Sequence, residues 1–147
     1  MKKFLLILSL GMSLFASDMI VKNSLCSVNT TVESIESIVQ SKGMKVFTVI
    51  DHSVGAKSVG MNLNEAKLII FGNPKLGSAL MKQDITTGLD LPIRIFVYKN
   101  SEGVVKMAYR DGSWISANHA LHATGMLQKM SDTLEYITNR AGQCKKD

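Results

Sequence analysis

Three histidines, two cysteines and one Gly-Asn-Pro-Lys turn are the residues of this 147-residue chain whose types and spacing suit chemistry. Asp51-His52 closes the apolar segment Met44 to Ile50. Successive strand residues face opposite ways, so Phe47, Val49 and Asp51 are expected on one face and Ile50 and His52 on the other. A carboxylate and an imidazole at a strand end suit a ligand or acid/base site at the mouth of a cleft. The structural alternative is that Asp51 accepts backbone hydrogen bonds from the following loop, with His52 a satisfied polar residue. His119 and His122 stand at i, i+3, which predicts one face of the last helix, with Met126 a turn further on. With His52 and Met61 they are weak candidates for a mixed His/Met metal site. The chain has no Met-x-x-Met or Cys-x-x-Cys pair, and Met126 and Met130 fit core filling. No metal and no other cofactor is therefore assigned.

The stretch Ile69 to Met81 organises the middle of the chain. Leu68 to Phe71 is short, apolar and partly β-branched, which predicts a buried strand. Gly72 permits close backbone approach. Asn73 is a good helix N-cap, and Pro74 suits the first helical position. Such a helix start has free N–H groups that suit an anion, with Lys75 beside it, although most capped helices bind nothing. Gly72, Asn73 and Lys75 thus join Asp51, His52 and His119 as ligand-binding candidates. Ser78 follows Gly77 but lacks the nucleophile-elbow pattern. The chain also lacks a Walker loop and a haem-attachment motif. Without a recognisable nucleophile, metal set or carboxylate pair, the reading leans away from an enzyme. Asp51 and His52 remain the catalytic candidates.

Positioning these groups falls to one domain with a leader. Lys2-Lys3 followed by the apolar run Phe4 to Phe15, with a break after Ala16, predicts a secretory signal peptide over residues 1–16. The run is too short to span a bilayer, so no membrane span is expected after cleavage, and the product would be periplasmic or secreted. Residues 17–147 suit a single domain. Loss of Lys2 and Lys3 lowers the formal charge from +5 to +3. The remaining bases are dispersed without interleaved aromatics, which argues against nucleic acid. Two cysteines in an exported chain suggest a Cys26–Cys144 disulfide; free thiols or an intermolecular pair are the alternatives.

Periodicity predicts a first strand at Met19–Lys22 and a helix from about Val28 to Lys42 with Val28, Val32, Ile35 and Val39 inward. Further strands are expected at Met44–Ile50, Glu65–Phe71, Leu91–Lys99 and Val104–Arg110. The segment Ser53–Asn64 reads as loop with a helical turn near Ala56. Helices are expected from Pro74 to about Gln83 and from about Ile115–Ala117 onward, the latter with the stripe Met126, Met130, Leu134, Ile137, Ala141. The order predicts an α+β two-layer sandwich, mainly antiparallel, with helices on one face.

Several stretches together resemble the domain of unknown function family 302. They are Lys42-Gly43-Met44-Lys45-Val46-Phe47 leading to Ile50-Asp51-His52, then Gly60-Met61-Asn62-Leu63, then Phe71 to Gly77. Leu91-Pro92-Ile93-Arg94-Ile95 and Ala108-Tyr109-Arg110-Asp111 complete the set, which runs from the first strand to at least Arg110. The resemblance implies a small α+β domain similar to the TATA-binding-protein-like arrangement, strand–helix–four strands–helix. It also implies a homodimer, and it implies no reaction.

Two functional classes follow. One is an exported small-ligand-binding or accessory module, with a pocket near Asp51-His52 and Gly72-Asn73-Pro74. The other is an enzyme with Asp51, His52 and His119 as acid/base groups; a purely structural dimer is a third. Approach of His52 to His119 across a concave pocket would favour the enzyme or the metal site.

Overall fold

The computed structural model describes residues 19–144. The expected signal peptide over residues 1–16 and the Lys145-Lys146 tail lie outside the described residues. The strands are β1 (Ile20–Ser24), β2 (Lys45–Asp51), β3 (Ala66–Gly72), β4 (Ile93–Lys99) and β5 (Val105–Tyr109). The helices are α1 (Val28–Ser41), α2 (His52–Ser58), α3 (Pro74–Met81), α4 (Gly112–Asn118) and α5 (Thr124–Ala141), with a 3-10 turn at Ile85–Leu89. The strands form one open sheet in the order β1-β5-β4-β3-β2, every neighbouring pair antiparallel. The fold is α+β, as expected, with α2, α3 and α4 added to the strand–helix–four strands–helix order.

Each element follows from local chemistry. Ser27 caps α1 by accepting from the Thr30 amide, and Val28, Thr31, Val32, Ile35 and Val39 are its buried stripe. Gly43, at φ +70°, turns the chain into β2 in a left-handed conformation that disfavours other residues. Alternation along the sheet turns Ile69, Phe71, Ile95, Val97 and Met107 inward, all fully buried. They meet Ile35 and Val39 from α1 and Leu134 and Ile137 from α5 in one core. Full burial of each such side chain is worth about 1.5–3 kcal/mol, so these two helices and the sheet hold one another in place.

Three local expectations are corrected. The segment after Asp51 is a helix rather than a loop, because the Asp51 carboxylate accepts from the Val54 amide at 3.0 Å and caps α2. The register of β2 with β3 slips between Val46 and Thr48, so Phe47 falls on a bulge rather than in simple alternation with Val49 and Asp51. The expected last helix is two. Asp111 accepts from the Ser113 and Trp114 amides and starts α4 early, and the chain then extends at His119 before α5 begins at Thr124. His119 and His122 therefore precede α5 and do not share its face.

Cys26 and Cys144 are disulfide-bonded, with Cα atoms 5.4 Å apart. The bridge ties the start of α1 to the end of α5. Among the described residues no helix is long and apolar enough to cross a membrane.

Candidate functional site

The Gly-Asn-Pro turn positions the candidate site. β3 delivers Phe71 into the core and Gly72 to its edge, where the Pro92 Cβ would lie 3.6 Å from an added side chain. Asn73 then caps α3 as the sequence predicts: its Oδ1 accepts from the Lys75 amide at 2.9 Å and the Leu76 amide at 3.4 Å. Pro74 has no amide hydrogen, and the Gly77 amide donates to the Asn73 carbonyl. The first amides of α3 are thus already satisfied, which leaves Lys75 rather than the helix backbone to attract an anion.

Two hollows flank α3. The larger has a volume of about 560 Å³. Its floor is Phe71, Leu76, Ile93, Met130 and Leu134, and its rim carries Lys42, Lys75 and Lys129. Helix α5 contributes Met126, Lys129, Met130, Thr133 and Leu134, which recur at i, i+3, i+4, i+7 and i+8 and so share one helical face. Helix α3 contributes Lys75, Leu76 and Ala79 from the opposite wall. The smaller hollow, about 250 Å³, lies between Phe47, Gly77, Met81, Leu91 and Pro92. Asn73, Leu76, Ile93 and Met130 line both. Among the described residues no carboxylate lines either hollow.

The structure brings Gly72, Asn73 and Lys75 together here and places the histidine candidates elsewhere. Asp51 pairs in register with Lys67, whereas Lys45 at the other end of β2 pairs with Gly72. Seven strand residues separate them by roughly 20 Å. A single pocket joining Asp51-His52 to Gly72-Asn73-Pro74 is therefore absent. The Asp51 carboxylate is held below the usual range, first by the Ser53 hydroxyl and then by the Val54 amide and Lys67, whose Nζ is 3.4 Å away. Its role is to cap α2. The exposed His52 ring packs edge-on against Phe96 at 5.8 Å, with no hydrogen bond to Asp51 among the described residues.

His119 is in a different neighbourhood, near the start of β4. Its side chain is only 6% exposed. Nε2 lies 2.8 Å from Asp90 Oδ2, and Nδ1 lies 3.1 Å from Thr86 Oγ1. Asp84 accepts from the Thr86 amide and hydroxyl and from the Ala120 amide, and the Thr86 hydroxyl leads in holding its pKa below the usual carboxylate value. Asp90 also faces Arg94 at 3.5 Å and Arg110 at 3.9 Å. The cluster fastens residues 119–120 to the 3-10 turn, with both ring nitrogens engaged. His122 is exposed, and its amide donates to the Gln83 side chain. Among the described residues no group of three His, Cys, Asp or Glu side chains is arranged to hold a metal. Arg94 and Tyr109 line neither hollow; Tyr109 is buried, and burial raises its pKa.

Residues 20–137 match the family model "Domain of unknown function DUF302", and the chain belongs to that family. A crystal structure of an uncharacterized conserved DUF302 protein from Bacillus stearothermophilus shares the fold, with a TM-score of 0.76. The likeness covers 86% of this chain and 99% of that one at 16% identity, and so concerns the fold alone. The chain is also similar to the fluoride-specific ion channel FluC 1 of Brucella suis biovar 1, at 40% identity over 109 residues. The fluoride-specific ion channel FluC 2 of Brucella melitensis biotype 1 is equally similar over the same length. The match covers 74% of this chain but 43% and 40% of those proteins, so the chain spans less than half the length of the curated relatives it matches.

Proposed function

We propose that this chain is an exported small-ligand-binding module of the cell envelope, with its ligand seated beside α3. The observation that supports this most is the 560 Å³ hollow, whose apolar floor reaches core residues Phe71 and Leu134. Small-molecule sites run from about 300 to 1,000 Å³ and combine apolar walls with a few polar groups. The disulfide supports export, since such bridges persist in oxidising compartments. Native mass spectrometry of the protein purified from its own periplasm tests both parts of the reading. A stoichiometric extra mass on a disulfide-bonded chain that begins at Ser17, lost when Ala79→Phe fills the hollow, is the expected result. An apo protein under gentle ionisation, or a mass indifferent to that substitution, overturns the pocket; an uncleaved cytoplasmic chain overturns export.

The accessory role draws on the fluoride-channel relatives. A bilayer span needs about 20 apolar residues in a helix, and the described part of this chain holds no such helix. We place the membrane-crossing part of those relatives outside the matched segment, and the matched segment as a domain appended to it. A homodimer is proposed through the sheet face turned away from α1 and α5. That face carries Val21 and Ile50, each about 40% exposed, with half-buried Leu68, Ile70 and Phe96 between them. Light scattering of wild type and Ile50→Glu tests it: a dimer converted to monomer is expected, and a wild-type monomer at high concentration refutes it.

A further inference from the structure

We infer that the larger hollow is built for a single-chain apolar anion of the fatty-carboxylate class, its alkyl chain on the apolar floor and its carboxylate among Lys42, Lys75 and Lys129. The inference rests on the pocket reading above and adds the ligand's charge and shape. Three observations carry it. First, the floor is apolar but pliable: Met44, Met126 and Met130 line it, and unbranched thioether side chains adapt to flexible chains. Second, the three lysines come from three separate places, the end of α1, the first turn of α3 and the second turn of α5, and converge on one rim. Third, their charge is unanswered. Among the described residues no carboxylate lines the hollow and none of the three lysines forms an ion pair. Lys42 instead lies over the Tyr136 ring at 4.0 Å, a contact that leaves its charge without a counter-ion.

The alternatives fit less well. An inorganic anion would leave the apolar floor wet and unused, and the α3 amides that would cradle it are already taken by Asn73. A neutral apolar ligand would leave the three lysines without a counter-charge. A cation meets like charge on every side of the rim. A long-chain carboxylate satisfies floor and rim together, with rim ion pairs that are modest individually because the ammoniums are exposed.

The test is isothermal titration calorimetry of the disulfide-bonded chain with octanoate, nonanoate and decanoate, and with decanol and decylamine as matched controls, all below their aggregation limits. One decanoate per chain is expected. Each added methylene should tighten binding about three- to fourfold until the hollow is full. Lys75→Gln and Lys129→Gln should each weaken decanoate roughly 1.5- to fivefold and leave decanol unchanged. Both lysines are exposed, so the variants are expected to keep the fold. Ala79→Phe, or Thr133→Phe from the opposite wall should the first not fold, should abolish binding of both probes. Decanol or decylamine binding as tightly as decanoate overturns the anion assignment while leaving an apolar pocket standing. Carboxylate binding without chain-length dependence, or untouched by either filling variant, overturns the site. Absence of binding by every probe overturns the inference; a co-purifying mass displaced by Ala79→Phe then still retains the pocket, and lack of one removes that too.

Discussion

Gly112 sets the distance between α4 and α5, and replacing it should be among the most damaging small changes in the protein. It is buried at the first position of α4, directly against the backbone of Leu127. A Cβ built there would lie 2.0 Å from the Leu127 carbonyl oxygen and 2.7 Å from its carbonyl carbon. Since real Cβ contacts essentially never fall below 3.0 Å, Gly112→Ala requires the two helices to part by at least about 1 Å. Overpacking costs about 1–3 kcal/mol, and the obstacle here is helix backbone rather than a side-chain end that can swing aside, which selects the upper part of that range. The same movement stretches the bond from the Gly112 amide to Ser131 Oγ, now 3.1 Å, for about 1 kcal/mol more. The sum, about 3–4 kcal/mol, is a large part of a typical folding free energy of about 5–15 kcal/mol. At about 3 °C per kcal/mol for a chain of this size, the melting temperature should fall by roughly 10 °C. Urea unfolding of Gly112→Ala beside two other glycine variants is the assay. Gly125 has open space around its position, so Gly125→Ala should be neutral or stabilising by up to about 1 kcal/mol. A side chain at Gly142 would press on the terminal methyl of Met107 at 2.9 Å and on the Asn23 carbonyl at 3.1 Å, so its variant should fall between the two. If Gly112→Ala unfolds with Gly125→Ala, the proposed helix contact is wrong.

Other outcomes follow from the same geometry. Replacing Cys26 and Cys144 by Ser together should destabilise the chain by about 4–5 kcal/mol at most, the chain-entropy value for a sequence separation of 118; an unchanged urea midpoint would mean the bridge does not form. Hydrogen bonds hold the carboxyls of Asp51 and Asp84 below their ordinary values, and at Asp111 burial pushes upward but the bonds from Ser113, Trp114 and Ser131 outweigh it. Their folded pKa values lie below the unfolded value of about 3.9, so their stabilisation is complete above that pH and is lost as pH falls through the lower folded values. Thermal scans should therefore show an acid limb below about pH 4 that is shallower in Asp84→Asn; an acid limb of undiminished slope in that variant would remove Asp84 as a source. His119→Ala should cost about 1–3 kcal/mol and raise amide exchange at Ala120 and His122, whose amides hold the neighbouring segment to Asp84 and Gln83. Unchanged exchange there would show that His119 does not fasten this segment.

What was legible in the chain was what repeats or punctuates locally. The α1 stripe, the alternation of β4 and β5 and the Asn73-Pro74 start of α3 each depend on neighbours within a few positions, and each stands where periodicity and capping chemistry put it. The α4–α5 break was hidden because Met126 and Met130 extend a helical stripe that gives no sign of where the helix begins, whereas Asp111 and the contact at Gly112 decide it through long-range packing. The candidate site divides along the same line. Asn73 and Lys75 were visible as turn chemistry, and the helix start drew attention to an anion, but the cap consumes the very amides that made it attractive. The charge that remains comes from Lys42, Lys75 and Lys129, which lie 33 and 54 positions apart along the chain. Read singly, each is one base among dispersed bases. Only the packing of α5 across the end of β3 and β4 makes them one rim, and only the inward turn of Phe71 and Leu134 puts an apolar floor beneath it. The histidines show the converse: their residue type suggested a shared site, yet the strand register sends His52 to Phe96 at one end of the sheet and the 3-10 turn draws His119 to Asp90 at the other. Residue type announces what chemistry is available, and topology decides which residues can act together. In this fold that distinction moves the proposed ligand site from the imidazoles to the lysines.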